Sequence, residues 1–284
     1  MELNEKDEKL HRARHSLAHV LAKALTELYP NVKLTIGPAI DDGFYYDVDL
    51  DKQLTPDDFE TIEKKMKEII GKGEPFVKKV VSREEALKLF KNNPYKTEII
   101  NELPADAEIS VYFTGDDFFD LCSGPHVESC KNLQNYAFKI HAVNGAYWRG
   151  SEKNKMLQRV YAYAFPDKKQ LADHIAMVEE AKKRDHRRLG KELGIFMFDE
   201  LIGKGLPMYL PNGFVLRRIL ADYITNKEIA KGYKHVMTPS LGNVDLYKTS
   251  GHWDHYKDDM FPAMELDDEA YVLRPMNCPH HMVM

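Results

Sequence analysis

The sequence predicts an α+β fold through residue 166, on three observations. Residues 7 to 28 place Leu10, Leu17, Leu21, Ala24, Leu25 and Leu28 at helical spacing, with Tyr29-Pro30 to close the helix. TPDDFETIEKKMKEIIGKG repeats that period in Phe59, Ile62, Met66 and Ile69, with Thr55 as cap, Pro56 in the first turn and Gly71 as the stop. Between and after them come the short runs VKLTI, GFYYDV, FVKKVV, ISVYF, YAFKIHAV and LQRVYAYAF, several alternating apolar and polar as a half-buried antiparallel sheet does. SREEALKLF opens on a capping box from Ser82 to Glu85 and adds a short helix. No internal repeat and no low-complexity segment interrupts this pattern.

A chain of 284 residues, 43% hydrophobic and 30% charged, has the composition of a soluble globular protein and the length for two domains. Its start, MELNEKDEKLH, holds no signal-like apolar run, and no later stretch approaches the roughly eighteen apolar residues of a membrane span, so a cytoplasmic protein with no membrane partner is expected. Three cysteines, Cys122, Cys130 and Cys278, argue against a disulfide framework and raise the weight of metal or catalytic roles. A net charge of -5 excludes a generally basic nucleic-acid coat but leaves room for a local stripe. AKKRDHRRLGKELG, residues 181 to 194, is such a stripe. Pro166-Asp167 ahead of it, apolar Leu171, Ile175, Val178, Leu189 and Leu193, and Gly194 at its end predict one charged linker helix over 167–194. Its cations suit either a solvated face or an RNA backbone.

The chemistry is carried by two pairs of residues. His15 and His19 sit one helical turn apart and can converge on one ligand, water or metal. Leu17 and Leu21 point roughly the other way, so the histidines occupy a face apart from the main apolar stripe. Cys122 and His126 have the same spacing in DLCSGPHV, around a Gly-Pro turn. Together the four offer the donors of a tetrahedral zinc site, or equally the imidazoles of a hydrolytic pocket. Cys122 alone reads as a small buried hydrophobe in a turn.

HSLAHVLAKAL, IGPAIDDGFYYD, DLCSGPHV and GAYWRGSEKNKMLQRVYAYAF closely resemble the editing domain of bacterial-type threonyl-tRNA synthetases, whose histidine and cysteine pattern alanyl-tRNA synthetases share. KRDHRRLGKELGIF, LPMYLPNGFVLRRIL, KTSGHWDHYKDDMF and RPMNCPHH resemble the start of the threonyl class II catalytic domain, whereas alanyl enzymes carry editing after catalysis. The resemblance is collinear over nearly all of the chain. It implies an editing domain over 1–166, a linker over 167–194, and the first part of a class II antiparallel-sheet domain over 195–284, without motifs 2 and 3 or an anticodon-binding domain.

That resemblance implies a reason for two sites. A synthetic site that coordinates the threonine hydroxyl on zinc rejects valine by leaving polar groups unpaired, but serine keeps the hydroxyl and lacks only a methyl, worth about 1–3 kcal/mol. A second, hydrolytic site must then clear Ser-tRNA. Carried over residue by residue, its catalytic groups would be His15, His19, Lys96, Asp120, Cys122 and His126, with Tyr46 binding substrate and water activated by Lys96 and the histidines without metal. Read without the resemblance, Lys96 is a surface lysine at the start of a strand, Asp120 a turn residue and Tyr46 a strand aromatic. PNGFVLRRILADYITNKEIAKGYKHVMTPSL matches motif 1, a helix then a strand ending at Thr238-Pro239, and implies a homodimer. Cys278 matches one of three protein ligands to the catalytic zinc, the other two being expected beyond Met284, and neither His280 nor His281 is assigned. Zn2+ and ATP/Mg2+ are expected for the longer enzyme, with threonine and threonine tRNA as partners. The chain is expected to be part of a longer product that cannot aminoacylate alone, its alternatives being a freestanding Ser-tRNA deacylase, a noncatalytic tRNA-binding or dimerisation module, and an adventitious zinc protein. A buried histidine face would favour the noncatalytic reading.

Overall fold

The computed structural model describes residues 5–284, which divide into two units, one ending at Lys183 and one starting at Arg184. In chain order the first unit holds α1 (Glu5–Leu28), β1 (Lys33–Leu34), β2 (Ala39–Ile40), β3 (Gly43–Asp49), α2 (Pro56–Lys72), β4 (Phe76–Val81), α3 (Arg83–Leu89), α4 (Pro94–Glu102), β5 (Ile109–Thr114), β6 (Phe118–Leu121), β7 (Ala137–Tyr147), β8 (Met156–Phe165) and α5 (Lys168–Lys183). Two antiparallel sheets result, one in the order β1-β3-β8-β7 with β2 on β3, the other β4-β5-β6. The α+β class read from the sequence is observed.

The core lies where α1 and α2 meet the larger sheet. Leu17, Leu21 and Leu25 of α1 and Ile62, Met66 and Ile69 of α2 join Phe44, Val48, Ile140 and Val160 in one cluster of buried residues. Alternation along β8 turns Val160, Ala162 and Ala164 inward and leaves Tyr161 and Tyr163 half-buried on the other side. α1 differs from its expected amphipathic form. From Ala13 to Leu25 it is buried at every position except the half-buried His15, because the second sheet and the segment after Cys122 cover the face opposite the larger sheet. Buried Arg14 ties this helix to the rest: its Nε donates to the Ala164 carbonyl at 3.0 Å and its Nη1 to the Asp41 carbonyl at 2.7 Å.

Three local expectations are corrected. α2 runs through Gly71 and stops at Gly73, whose φ of 67° is the left-handed conformation that glycine adopts at low cost. Lys96 lies in a helix, not at a strand start, since Asn93 Oδ1 accepts from the Tyr95 and Lys96 amides at 3.1 and 3.3 Å and Pro94 takes the first turn. The single linker helix is two: α5 ends at Lys183, and Asp185 caps the next helix by accepting the Arg187 amide at 2.8 Å. The capping box of α3 forms as read, with the Ser82 amide donating to Glu85 Oε2 at 2.8 Å and the Glu85 amide to Ser82 Oγ at 3.2 Å. Within the basic stripe, Lys182 and Lys183 pair with Glu179 and Glu180, Arg187 with Asp185 and Arg188 with Glu192, as on a solvated face.

The second unit contains α6 (His186–Glu192), β9 (Phe196–Met197), β10 (Met208–Tyr209), α7 (Pro211–Ala230), β11 (Leu241–Asn243), α8 (Val244–Thr249), α9 (His252–Tyr256), β12 (Met264–Leu266), β13 (Glu269–Leu273) and α10 (Cys278–Val283). β9 and β10 form one antiparallel pair, and β11-β13-β12 a small antiparallel sheet. Its fully formed core is Val244, Tyr247 and Val272. α7 is the helix read from the sequence, but Leu216, Ile219, Leu220, Tyr223 and Ile224 are all exposed. The strand expected to end at Pro239 is not formed among the described residues; the chain joins the small sheet only from Ser240, whose carbonyl accepts the Arg274 amide at 2.8 Å.

Candidate functional site

The fold brings His15 and His19 of α1 against Cys122 and His126, which follow β6. Cys122 Sγ lies 3.3 Å from His15 Nε2 and 3.3 Å from His126 Nε2, and the Gly124 amide donates to it at 3.2 Å. One donor atom from each of the four lies within 4.8 Å of the others. The rings of His15 and His19 stand 4.3 and 4.1 Å from that of His126, which stacks on Phe76 at 5.2 Å.

A carboxylate cluster sits beside the imidazoles. Lys96 Nζ meets Asp120 Oδ1 at 2.6 Å, the Leu121 amide donates to the same oxygen at 2.8 Å, and the Tyr46 hydroxyl donates to Oδ2. His19 Nε2 approaches Oδ2 at 3.9 Å. Lys96 and Asp120 are each 2% exposed, so this is a buried ion pair and neither the surface lysine nor the turn residue of the plain sequence reading. Tyr46, expected to touch substrate, is enclosed behind Asp120 and acts on it.

A pocket of about 410 Å³ opens on this arrangement. His15, His19, Lys96, Asp120 and Cys122 line it, with Gly37, Ile99 and Ser123 among the surrounding residues. His126 closes the cluster from behind and does not line the pocket. The burial criterion for a noncatalytic module is met by His19, 3% exposed, and not by His15, Cys122 or His126, which are half-buried.

Burial sets the protonation of the site. It holds His15 below its ordinary pKa, partly offset by the Pro125 carbonyl. His19 lies well below, through burial and then the neighbouring His15 and Lys96. His126 is lowered by burial and by the two other imidazoles. The Cys122 thiol is pushed up to about 11 by burial, against the Gly124 amide. At neutral pH the cluster is three uncharged imidazoles and a thiol. His19 Nδ1 is buried with no hydrogen-bond partner among the described residues. That orphan and the nitrogen and sulfur donor set fit a zinc ion held by His15, His19, Cys122 and His126.

Comparison with known proteins bears on this geometry. The family described as threonyl and alanyl tRNA synthetase second additional domain matches residues 109–161. Threonine–tRNA ligase of Halalkalibacterium halodurans is 56% identical over 284 residues, 99% of this chain and 44% of that protein. Nearly all of the chain is similar to a segment of a threonine–tRNA ligase. Threonine–tRNA ligase of Staphylococcus carnosus is 55% identical over 98% of the chain and 43% of its own length, so the chain spans less than half of these synthetase relatives. A solved RNA-binding domain of threonyl-tRNA synthetase from Cryptosporidium parvum Iowa II is 42% identical over 36% of this chain and 25% of that one, with a TM-score of 0.34.

The synthetase family match over 109–161 contains Asp120, Cys122 and His126; His15, His19, Tyr46 and Lys96 reach them only through the fold. In the second unit Cys278 is exposed at the start of α10 and joins no group of three or more metal-ligating residues among those described. His280 turns to Tyr247, with Nδ1 3.4 Å from the hydroxyl. Sequence reasoning missed two participants. Ser16 lies between the paired histidines and bonds His126, and Gly37 lies where a Cβ would come within 2.1 Å of the Tyr46 ring. The HS dipeptide and the IGP run were their visible signals.

Proposed function

We propose that the first unit is the editing site of a threonyl-tRNA synthetase and hydrolyses the ester of serine on threonine tRNA. The observation that carries this reading is the placement of His15, His19 and Cys122 beside the buried Lys96–Asp120 pair at one pocket, in a chain 56% identical over 99% of its length to a threonine–tRNA ligase. The ester carbonyl carbon takes a water oxygen, an uncharged imidazole accepts the water's proton, and the imidazolium gives that proton to the departing ribose oxygen as the bond to carbon breaks. His15, on the pocket wall and held neutral by burial, is placed to accept. Lys96 puts a positive charge where the carbonyl oxygen becomes negative, with Asp120 fixing its position and Tyr46 fixing Asp120. Serine is admitted and the extra methyl of threonine refused by the fit of the pocket.

A metal-dependent version of the same reaction is favoured by the four converging donors and the orphaned His19 nitrogen. A zinc ion there would lower the pKa of a bound water and polarise the ester. Hydrolysis of Ser-tRNA by the chain and by His15→Ala and Cys122→Ala, each before and after chelation, separates the versions. Loss in both variants with no chelator effect supports the metal-free route, chelator sensitivity supports zinc, and full activity in folded variants overturns the site.

For the longer protein the further reading is ligation of threonine to its tRNA with ATP/Mg2+ in the cytoplasm. Residues 195–284 would begin a class II catalytic domain, α7 would enter a homodimer interface, and Cys278 would be one of three protein ligands to a catalytic zinc. The exposed apolar side chains of α7 support the interface.

A further inference from the structure

We infer that Ser16 is a positioning residue of the site proposed above, holding His126 in one orientation and in the tautomer that carries its proton on Nδ1. Ser16 is fully buried on α1 between His15 and Leu17. Its Oγ lies 2.9 Å from the Arg12 carbonyl oxygen, 3.0 Å from the Val127 amide nitrogen and 3.1 Å from His126 Nδ1. A hydroxyl has one proton to give and two lone pairs to fill. The carbonyl can only accept and the amide can only donate, so one assignment satisfies all three contacts: Oγ–H to Arg12, the Val127 N–H to Oγ, and His126 Nδ1–H to the second lone pair. His126 Nε2 is then bare, and it is the nitrogen that faces Cys122 Sγ at 3.3 Å.

The hydroxyl thus decides from the helix which nitrogen of a loop histidine is basic. It also grips two consecutive residues of that loop, the ring of His126 and the amide of Val127, so the segment after Cys122 is pinned to the turn of α1 that carries His15 and His19. The remaining freedom of the ring is taken by the stack on Phe76 and by Tyr112, edge-on at 4.5 Å. Only the role of the site in hydrolysis rests on the functional reading; the tautomer rests on the contacts alone.

The test is a long-range 1H–15N correlation spectrum of the wild-type chain labelled with 15N-histidine at neutral pH, with His126 assigned among the 12 histidines by its absence in His126→Gln. The expected pattern has a protonated Nδ1 and a bare Nε2, and a protonated Nε2 overturns the inference. Ser16→Ala is expected to mix the tautomers and slow Ser-tRNA hydrolysis by about 10- to 100-fold, the usual cost of removing a hydrogen-bond partner that orients an active group, while Ser16→Thr keeps the tautomer and most of the rate. A folded Ser16→Ala with the wild-type tautomer overturns the inference; should that variant not fold, the wild-type spectrum and Ser16→Thr decide. An Nδ1–H pattern in a wild-type chain with no hydrolysis leaves the positioning role standing and removes the functional reading.

Discussion

Asp120 accepts from Lys96, Tyr46 and the Leu121 amide while almost wholly shielded from water, so it and Lys96 form a buried ion pair. Asp120→Asn would leave the ammonium buried without a counter-charge and is expected to cost about 3–5 kcal/mol. Urea unfolding measures it; an unchanged midpoint would mean that Lys96 can turn out to water. The imidazoles give a pH signature of definite sign. Burial holds His15, His19 and His126 below the ordinary value of 6.5, so below that pH the unfolded chain binds protons that the folded chain refuses. Stability is therefore full above that value and falls as pH drops toward the folded values, by up to about 1.4 kcal/mol per pH unit for each imidazole. Unfolding midpoints taken between about pH 7.5 and 5.5 should decline, and a flat profile would place the histidines in water. At this scale the sequence made the four soft donors legible through their spacing. It did not show that Lys96 and Asp120 are paired and buried, because burial depends on residues distant in the chain.

The elements position these groups by packing on both sides of α1. Its leucine stripe announced the helix and the face against α2 and the sheet. The second covered face was not legible, since His15, Ser16, His19 and Lys23 are polar and their partners come from the second sheet and the segment after Cys122; Lys23, for instance, is buried against Glu74 and Asp117 at 2.7 Å. Lys96 reads from the sequence as a strand start, while the deciding signal is the Asn93-Pro94 cap that opens α4. Between β1 and β2, Gly37 leaves room for the Tyr46 ring on β3. Gly37→Ala puts a Cβ 2.1 Å from Tyr46 Cδ2, so the ring and the carboxylate it supports must shift. The expected result is a folded chain whose Ser-tRNA hydrolysis is slower by on the order of 10²-fold, as an ångström of misplacement costs. Wild-type rates in that variant would show that the Tyr46 contact is dispensable.

Across the whole molecule the two units differ in how completely they are built. The first has a continuous core drawn from α1, α2 and both sheets, whereas the second gathers Val244, Tyr247 and Val272 into one small buried cluster and leaves the apolar side of α7 exposed. Amide exchange is expected to be slow in residues 10–165 and rapid in 195–284; uniformly slow exchange would mean that the second unit is stabilised by contacts of its own. The division between units was legible as a charged stretch, and its position was not, because the break falls where Asp185 caps a helix inside that stretch. The chain spans 44% of its Halalkalibacterium halodurans relative, and the chemistry argued for it lies wholly in the first unit. The most direct measurement is single-turnover deacylation of Ser-tRNA and Thr-tRNA, both on threonine tRNA, by the folded chain. Rapid loss of serine with threonine spared is the expected result, and equal rates, or no hydrolysis of either, would contradict an editing site at His15, His19, Cys122 and His126.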